Sequence, residues 1–229
     1  MPQSIVSRRD ALRLLCAMGV AGAAPRVFAG DDVPRKVVFD NEYVRVVEHV
    51  GHPHMGACGI GLHSHPPHIT IAMSDVKERF TLPGKDPFVA TNKKGDASWD
   101  DGGAHVVENV GDRDSKLYFV ETKLAPPPDR EATANNPGGK IVFENDNVRV
   151  IEHLGRPRMG VCGTGLHSHP PHLTIAITDV KARVTLPGKE PFLAANAAGD
   201  AFWDPGGPHV VENVGRRDSR IYIVEIKRA

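Results

Sequence analysis

The chain has no net charge: 28 Lys and Arg balance 28 Asp and Glu over 229 residues. Without an excess of positive charge there is no electrostatic footprint for nucleic acid or another polyanion. Beyond residue 30 it also lacks any sustained helical periodicity, which argues against a helical fold. Its apolar run at Leu14 to Ala24 is 11 residues, too short to span a bilayer, so no stable membrane span is expected in the mature form. Cysteine is scarce, with three in all: Cys16, Cys58 and Cys162.

What the chain does have is one stretch written twice. Residues 36–123 realign without a gap onto residues 140–227, and about 60 of the 88 paired positions are identical. Two units of this size each suffice for a modest core. We expect one domain at 36–123 and a second at 140–229. Residues 124–139, LAPPPDREATANNPGG, read as a linker from their prolines, charges and glycines.

Residues 1–29 read as an export leader. Ser7-Arg8-Arg9-Asp10-Ala11-Leu12 resembles the twin-arginine motif, with Ala11 where that motif usually has Phe. The apolar run follows, and Val27-Phe28-Ala29 fits a small-residue cleavage site. The expected location is the bacterial periplasm or the exterior, with the twin-arginine machinery as a partner. Cys16 would leave with the leader. Cys58 and Cys162, at equivalent repeat positions, are then either a bridge or two buried thiols.

Within a repeat the apolar pieces are short and rich in Val, Ile and Phe, as at Val44–Val47, Ile69–Met73 and Leu117–Val120. Gly, Pro, Asn or Asp punctuates them. That pattern predicts an all-β fold, one small sandwich or barrel per repeat. Strand alternation then assigns faces. With His63 and His65 inward, Gly61, Gly59 and Ala57 follow them, and Cys58, Ile60 and Leu62 face away. His68, Thr70 and Ala72 share a face on the next strand. His105, Val107 and Asn109 share another, from which Glu108 points away. By this parity neither Glu108 nor Cys58 is a ligand, unless a bulge intervenes.

Neutral imidazole is the commonest protein ligand for Zn, Cu, Fe and Ni. A His-x-His pair on a strand puts two rings on one face, about 7 Å apart at the backbone. A lone strand histidine is usually a surface or satisfied core residue; four per repeat on computed inward faces are not. The expected ligands of a divalent transition metal are His63, His65, His68 and His105, with His167, His169, His172 and His209 in the second copy. Its identity (Fe, Mn, Ni, Cu or Zn) is open. Thr70, Trp99, Asn109, Thr174, Trp203 and Asn213 are weaker candidates for a substrate pocket, the tryptophans alternatively packing in the core. Arg79 and Arg183 read as exposed strand charges, Glu48-His49 and Glu152-His153 as a sheet edge or inter-repeat contact, and His52 and His54 as a variable loop. No inward carboxylate is evident.

On these residues each repeat resembles the cupin superfamily, and the pair resembles a bicupin: two tandem double-stranded β-helix barrels. Cupins carry G-x5-H-x-H-x3,4-E-x6-G and G-x5-P-x-G-x2-H-x3-N. The first histidine pair is matched by His63-Ser64-His65 and His167-Ser168-His169. The second motif is matched by Gly199, Pro205, Gly207, His209 and Asn213, one residue short between Gly207 and His209. In the first copy Asp101 replaces the proline while Gly95, Gly103, His105 and Asn109 remain. The family's metal-binding Glu has no counterpart near Ile69 or Thr70, nor near Leu173 or Thr174. His68 and His172 are its expected substitutes, which resembles the three- and four-histidine cupins, some of them dioxygenases.

Replacing a carboxylate by imidazole leaves a bound ion more positive and favours anionic, chelating small molecules. The resemblance therefore implies a metal-dependent dioxygenase acting on a small chelating anion. A non-catalytic periplasmic metal or small-ligand binding protein is one alternative, and a sugar isomerase or epimerase is another.

Overall fold

The structure, a computed structural model, describes residues 36–59, 61–126, 139–163 and 165–227. The expected leader, 1–29, and most of the expected linker lie outside the described residues. Among those described there are eighteen strands and no helix. The chain divides into two compact units between Ala125 and Pro126.

The first unit runs β1 (Lys36–Asp40), β2 (Val44–Gly51), β3 (His63–His65), β4 (His68–Ala72), β5 (Val76–Thr81), β6 (Phe88–Asn92), β7 (Ala97–Asp100), β8 (Gly103–Asn109) and β9 (Ser115–Thr122). They form two antiparallel sheets, ordered β1-β2-β9-β4-β7 and β3-β8-β5-β6. The second unit repeats this with β10 (Lys140–Glu144), β11 (Val148–Gly155), β12 (His167–His169), β13 (His172–Ala176), β14 (Val180–Thr185), β15 (Phe192–Asn196), β16 (Ala201–Asp204), β17 (Gly207–Asn213) and β18 (Ser219–Ile226). Its sheets are ordered β10-β11-β18-β13-β16 and β12-β17-β14-β15. The all-β expectation holds.

In the first unit the space between the sheets is filled by Ala57, Cys58, Ala72, Val76, Val107, Leu117 and Phe119. The second unit uses Ile151, Val161, Cys162 and Ile223, with Ala176, Val180 and Ala182. Strand β4 is buried on both faces, so Ile69 and Ile71 are as inaccessible as His68. Each fully buried Ile or Leu stabilises the fold by about 1.5–3 kcal/mol.

Two devices hold the histidine strands in place. Asn109, at the end of β8, donates from Nδ2 to the carbonyls of Gly51 and Arg113 (both 2.8 Å) and accepts from the Gly111 amide at 2.9 Å. Asn213 repeats this with Gly155, Arg217 and Gly215. Gly102, in the turn from β7 to β8, has φ +83°, and a Cβ there would sit 2.5 Å from the His65 carbonyl oxygen. Gly206 meets the His169 carbonyl in the same way. Only glycine lets this turn lie flat against the His-x-His strand.

Replacing Asn109 with Ala leaves buried carbonyls unpaired and should cost about 2–3 kcal/mol. Gly102→Ala should cost about 1–3 kcal/mol through strain. Urea unfolding followed by circular dichroism checks both, and a midpoint unchanged in Asn109→Ala would contradict the role given to this side chain.

Candidate metal centre

Antiparallel register brings the histidines together. Strand β3 pairs with β8 so that His63 lies directly opposite His105, and β12 pairs with β17 so that His167 lies opposite His209. The His63, His65 and His105 rings stand 5.0, 4.8 and 5.3 Å apart between centroids, for the pairs 63–65, 63–105 and 65–105. The corresponding separations in the second unit are 5.0, 4.6 and 5.3 Å. All six rings are buried.

The tautomers follow from the neighbouring carbonyls, which can only accept. His63 Nδ1 donates to the Gly61 oxygen at 2.9 Å, and His167 Nδ1 to the Gly165 oxygen at 3.0 Å. The proton therefore sits on Nδ1 and the Nε2 lone pair is open, the arrangement a metal-ligating histidine needs. Nε2 of His63, His105 and His167 is buried without a hydrogen-bond partner, as are both ring nitrogens of His169. Leaving a buried polar atom unsatisfied costs about 1–3 kcal/mol, which a bound cation would remove. The donor set thus fits a transition metal.

His68 and His172 come from the other sheet. Their Nδ1 atoms donate to Pro66 and Pro170 carbonyls at 2.8 and 2.7 Å. The His68 ring lies 5.7 Å from His65 and stacks on Phe119 at 4.1 Å; His172 lies 5.4 Å from His169. They stand beside the three-ring groups rather than within the tightest set of donors. Thr70 and Thr174 share their inward face.

Three expectations need correction. Cys58 does not point away: its sulfur joins donor nitrogens of His63 and His65, all within 4.8 Å of one another. Cys162 does the same with His167, His169 and His209. Alternation fails here because the segment before His63 is not a strand; Gly59 (φ 152°) and Gly61 (φ 83°) turn the chain between Cys58 and His63. Both cysteines are thiols. Second, His49 and His153 are not at a sheet edge. His49 is 5% exposed with its ring 5.2 Å from His65, and His153 is fully buried, 5.6 Å from His169. The retention of this histidine in both copies is the signal that could have placed it. Third, inward carboxylates exist. Register aligns Arg45, Glu121, His68 and Asp100 in one row across β2, β9, β4 and β7. The second unit aligns Arg149, Glu225, His172 and Asp204. Cross-strand register of this kind is not visible in a single sequence.

The weaker pocket candidates divide. Trp99 pairs in register with Ile69, on the face of β4 turned from His68, and donates to Asp101 at 2.7 Å. Trp203 pairs with Leu173 in the same way. Asn109 and Asn213 are consumed by their turns. Arg79 and Arg183 form exposed pairs with Glu108 and Glu212, each at 3.1 Å, as read for surface charges. His52 pairs with Asp114 at the surface. The first unit alone buries Glu78, at 2% exposure, where the second has Ala182.

Burial governs the titration of these groups. It pushes His169 down to about 2 and His153 to about 4, with neighbouring histidines adding repulsion. His68, His105 and His209 are lowered for the same first reason, partly offset by Asp100 or Asp204. Burial raises the Cys162 thiol to about 12 and also raises Glu78 and Glu225. His68, His105, His153, His169 and His209 are thus held neutral.

No protein-family model matches the sequence, and no curated protein matches it in sequence. Solved structures match it in fold. Bacillus subtilis oxalate decarboxylase, in a study of its Mn(II) centres, superposes with a TM-score of 0.57 at 12% identity, covering 82% of this chain and 70% of that one. Lactobacillus farciminis oxalate decarboxylase in its formate complex gives 0.57 at 15% identity, with 82% and 78% covered. A cupin 2 conserved barrel domain protein from Leptotrichia buccalis gives 0.51 at 11% identity over 93% of this chain and 100% of that one. At such identities the likeness is one of fold. The two units are tandem antiparallel β barrels whose fold is similar to that of these solved proteins.

Proposed function

We propose that this chain is a metal-dependent dioxygenase of a small chelating anion. One divalent transition-metal ion (Fe, Mn, Ni, Cu or Zn) would sit in each barrel, on His63, His65 and His105 and on His167, His169 and His209. His68 and His172 stand next to each group. The observation that carries this reading is the meeting of buried imidazoles from antiparallel strands with unpartnered Nε2 atoms. When bound, the ion supplies Lewis acidity and whatever coordination position its protein donors leave to substrate.

The chain's own residues supply the rest. Burial keeps His105, His169 and His209 neutral. Asp100, opposite His68 in register, places a carboxylate beside the site; its Oδ1 accepts the Gly102 amide at 2.7 Å. Arg45 lies in the same row, and its Nε is buried without a partner. Its counterpart Arg149 is held by Glu144 (2.7 Å) and Glu225 (3.5 Å). Arg45 thus offers the first barrel a cation for an anionic group. A second reading, ligand or metal binding without turnover, draws on the fourth donor that Cys162 places near the second group. We also propose export: Arg8-Arg9, the apolar run and Val27-Phe28-Ala29 support a twin-arginine leader and a periplasmic or secreted product.

Oxygen uptake on catechols, flavonols and diketones by the iron, copper and nickel forms is the direct test. Turnover of at least one such chelate is expected. Replacing His63 and His167 together by Ala should lower it by at least about 100-fold, and in the His167→Ala background Arg45→Gln should raise KM roughly tenfold with little change in kcat. Silence across the panel, with metal bound, would overturn the enzymatic reading in favour of the second.

Stability should also follow pH. His153 and His169 have folded pKa values below the ordinary 6.5 of the unfolded chain, so the unfolded state takes up more protons on acidification. Their contribution is present above about pH 6.5 and is lost as pH falls towards 4, and for His169 towards 2. Each group contributes a slope of up to about 1.4 kcal/mol per pH unit. Thermal melts of metal-free protein between about pH 7.5 and 4.5 should show Tm falling, less steeply in His153→Phe. A flat profile would contradict neutral burial.

A further inference from the structure

The histidines account for three donors per barrel. We infer that Cys162, and Cys58 at the equivalent position, are the fourth: thiolate ligands that give each centre three nitrogens and one sulfur and make it selective for thiophilic ions. The inference rests on the reading of the histidines as a metal centre and adds to it the donor that decides which metal is held.

Geometry carries it. Cys162 Sγ and one nitrogen each from His167, His169 and His209 all lie within 4.8 Å of one another. An ion bound at about 2.0–2.3 Å from each of four tetrahedral donors sets them roughly 3.3–3.8 Å apart. Small side-chain shifts close that difference. In the first unit Cys58 stands in the same relation to His63 and His65, with the His105 ring 4.8 Å from His63. The thiols are 2% and 3% exposed, inside the barrels.

Three independent observations point the same way. First, Nε2 of His167 and both ring nitrogens of His169, a residue 1% exposed, are buried beside Cys162 without hydrogen-bond partners. Second, the duplicated sequence keeps the cysteine while its surroundings vary. Ala57 becomes Val161 and Ile60 becomes Thr164, yet the Cys-Gly pair persists, with positive φ at Gly59 and Gly163. Third, a thiolate would offset part of the ion's charge. No carboxylate follows the His-x-His pair, and a thiolate supplies the single negative charge that three neutral imidazoles cannot. Binding releases the thiol proton to solvent, so the site gains two charges and loses one.

The donor set has a consequence for metal choice. Thiolate with imidazole suits zinc, copper, cobalt, nickel and iron, whereas manganese and magnesium prefer oxygen donors.

The full-length protein loaded with cobalt(II) tests this. Elemental analysis should give two cobalt ions per chain, and the near-ultraviolet spectrum a thiolate-to-cobalt charge-transfer band. Cys162→Ser and Cys58→Ser should each remove about half of that band. The double variant should lose it and bind cobalt more weakly by at least the roughly 10- to 100-fold that follows loss of an outer-shell partner. Two bound cobalt ions with no such band, and unchanged affinity in the double variant, would overturn the cysteine assignment and leave the histidine centre standing. Failure of the wild-type chain to bind cobalt would overturn both. Should the serine variants not fold, X-ray absorption at the zinc edge of the wild-type zinc form replaces them. A sulfur neighbour at about 2.3 Å supports the inference, and a shell of nitrogen and oxygen alone contradicts it.

Discussion

One register pair in each barrel decides everything about the site. His63 must face His105, and His167 must face His209, for the rings to meet. A slip of one residue in β3 against β8 would turn every side chain of the short strand to the other side. The strand is only three residues long, so its own ladder is a weak guarantee. The turn at Gly102 supplies the rest, lying against the His65 carbonyl so closely that no side chain fits between. Asn109 ties the far end of β8 to Gly51 and Arg113. The scaffold spends its most specific contacts on holding two strands in one alignment.

Around that alignment the barrel concentrates buried imidazole nitrogen. Five histidines in each unit are buried, and several of their ring nitrogens have no protein partner. Packing against Phe119, which stacks on His68 and lies tilted against His49, holds these two rings of the first unit in place. An interior of this kind is unfavourable by itself and becomes favourable with a cation. The two units are not identical in this respect. Phe119 is replaced by Ile223, Glu78 by Ala182, and the partnering of Arg45 differs from that of Arg149. These differences lie on inward faces, where a duplicated chain can divide labour between ligand handling and metal retention.

Much of this is legible in the residues. The repeat, the short β-branched runs and the turn residues point to two β units. Alternation along β3, β4 and β8 yields the inward faces of His63, His65, His68 and His105. The strand rule misplaces Cys58 because glycines at positive φ interrupt the segment before His63, so counting by twos has no meaning there. His49 escapes the same rule because Val46 and Val47 are both buried, which hides the parity of β2. Asp100 and Arg45 enter only through pairing across four strands, and pairing is a property of the fold rather than of any local window. Asn109 reads as a pocket wall by parity and is instead a buried latch, since a side chain on an inward face near a strand end meets the next turn first.

Elemental analysis of folded protein from its own host, counted per chain, bears most directly on the claim that imidazoles in each barrel hold an ion. The account predicts two transition-metal ions per chain, falling to one when His63 or His167 is removed. Protein that is folded, reproducibly metal-free and indifferent to added metal would contradict it.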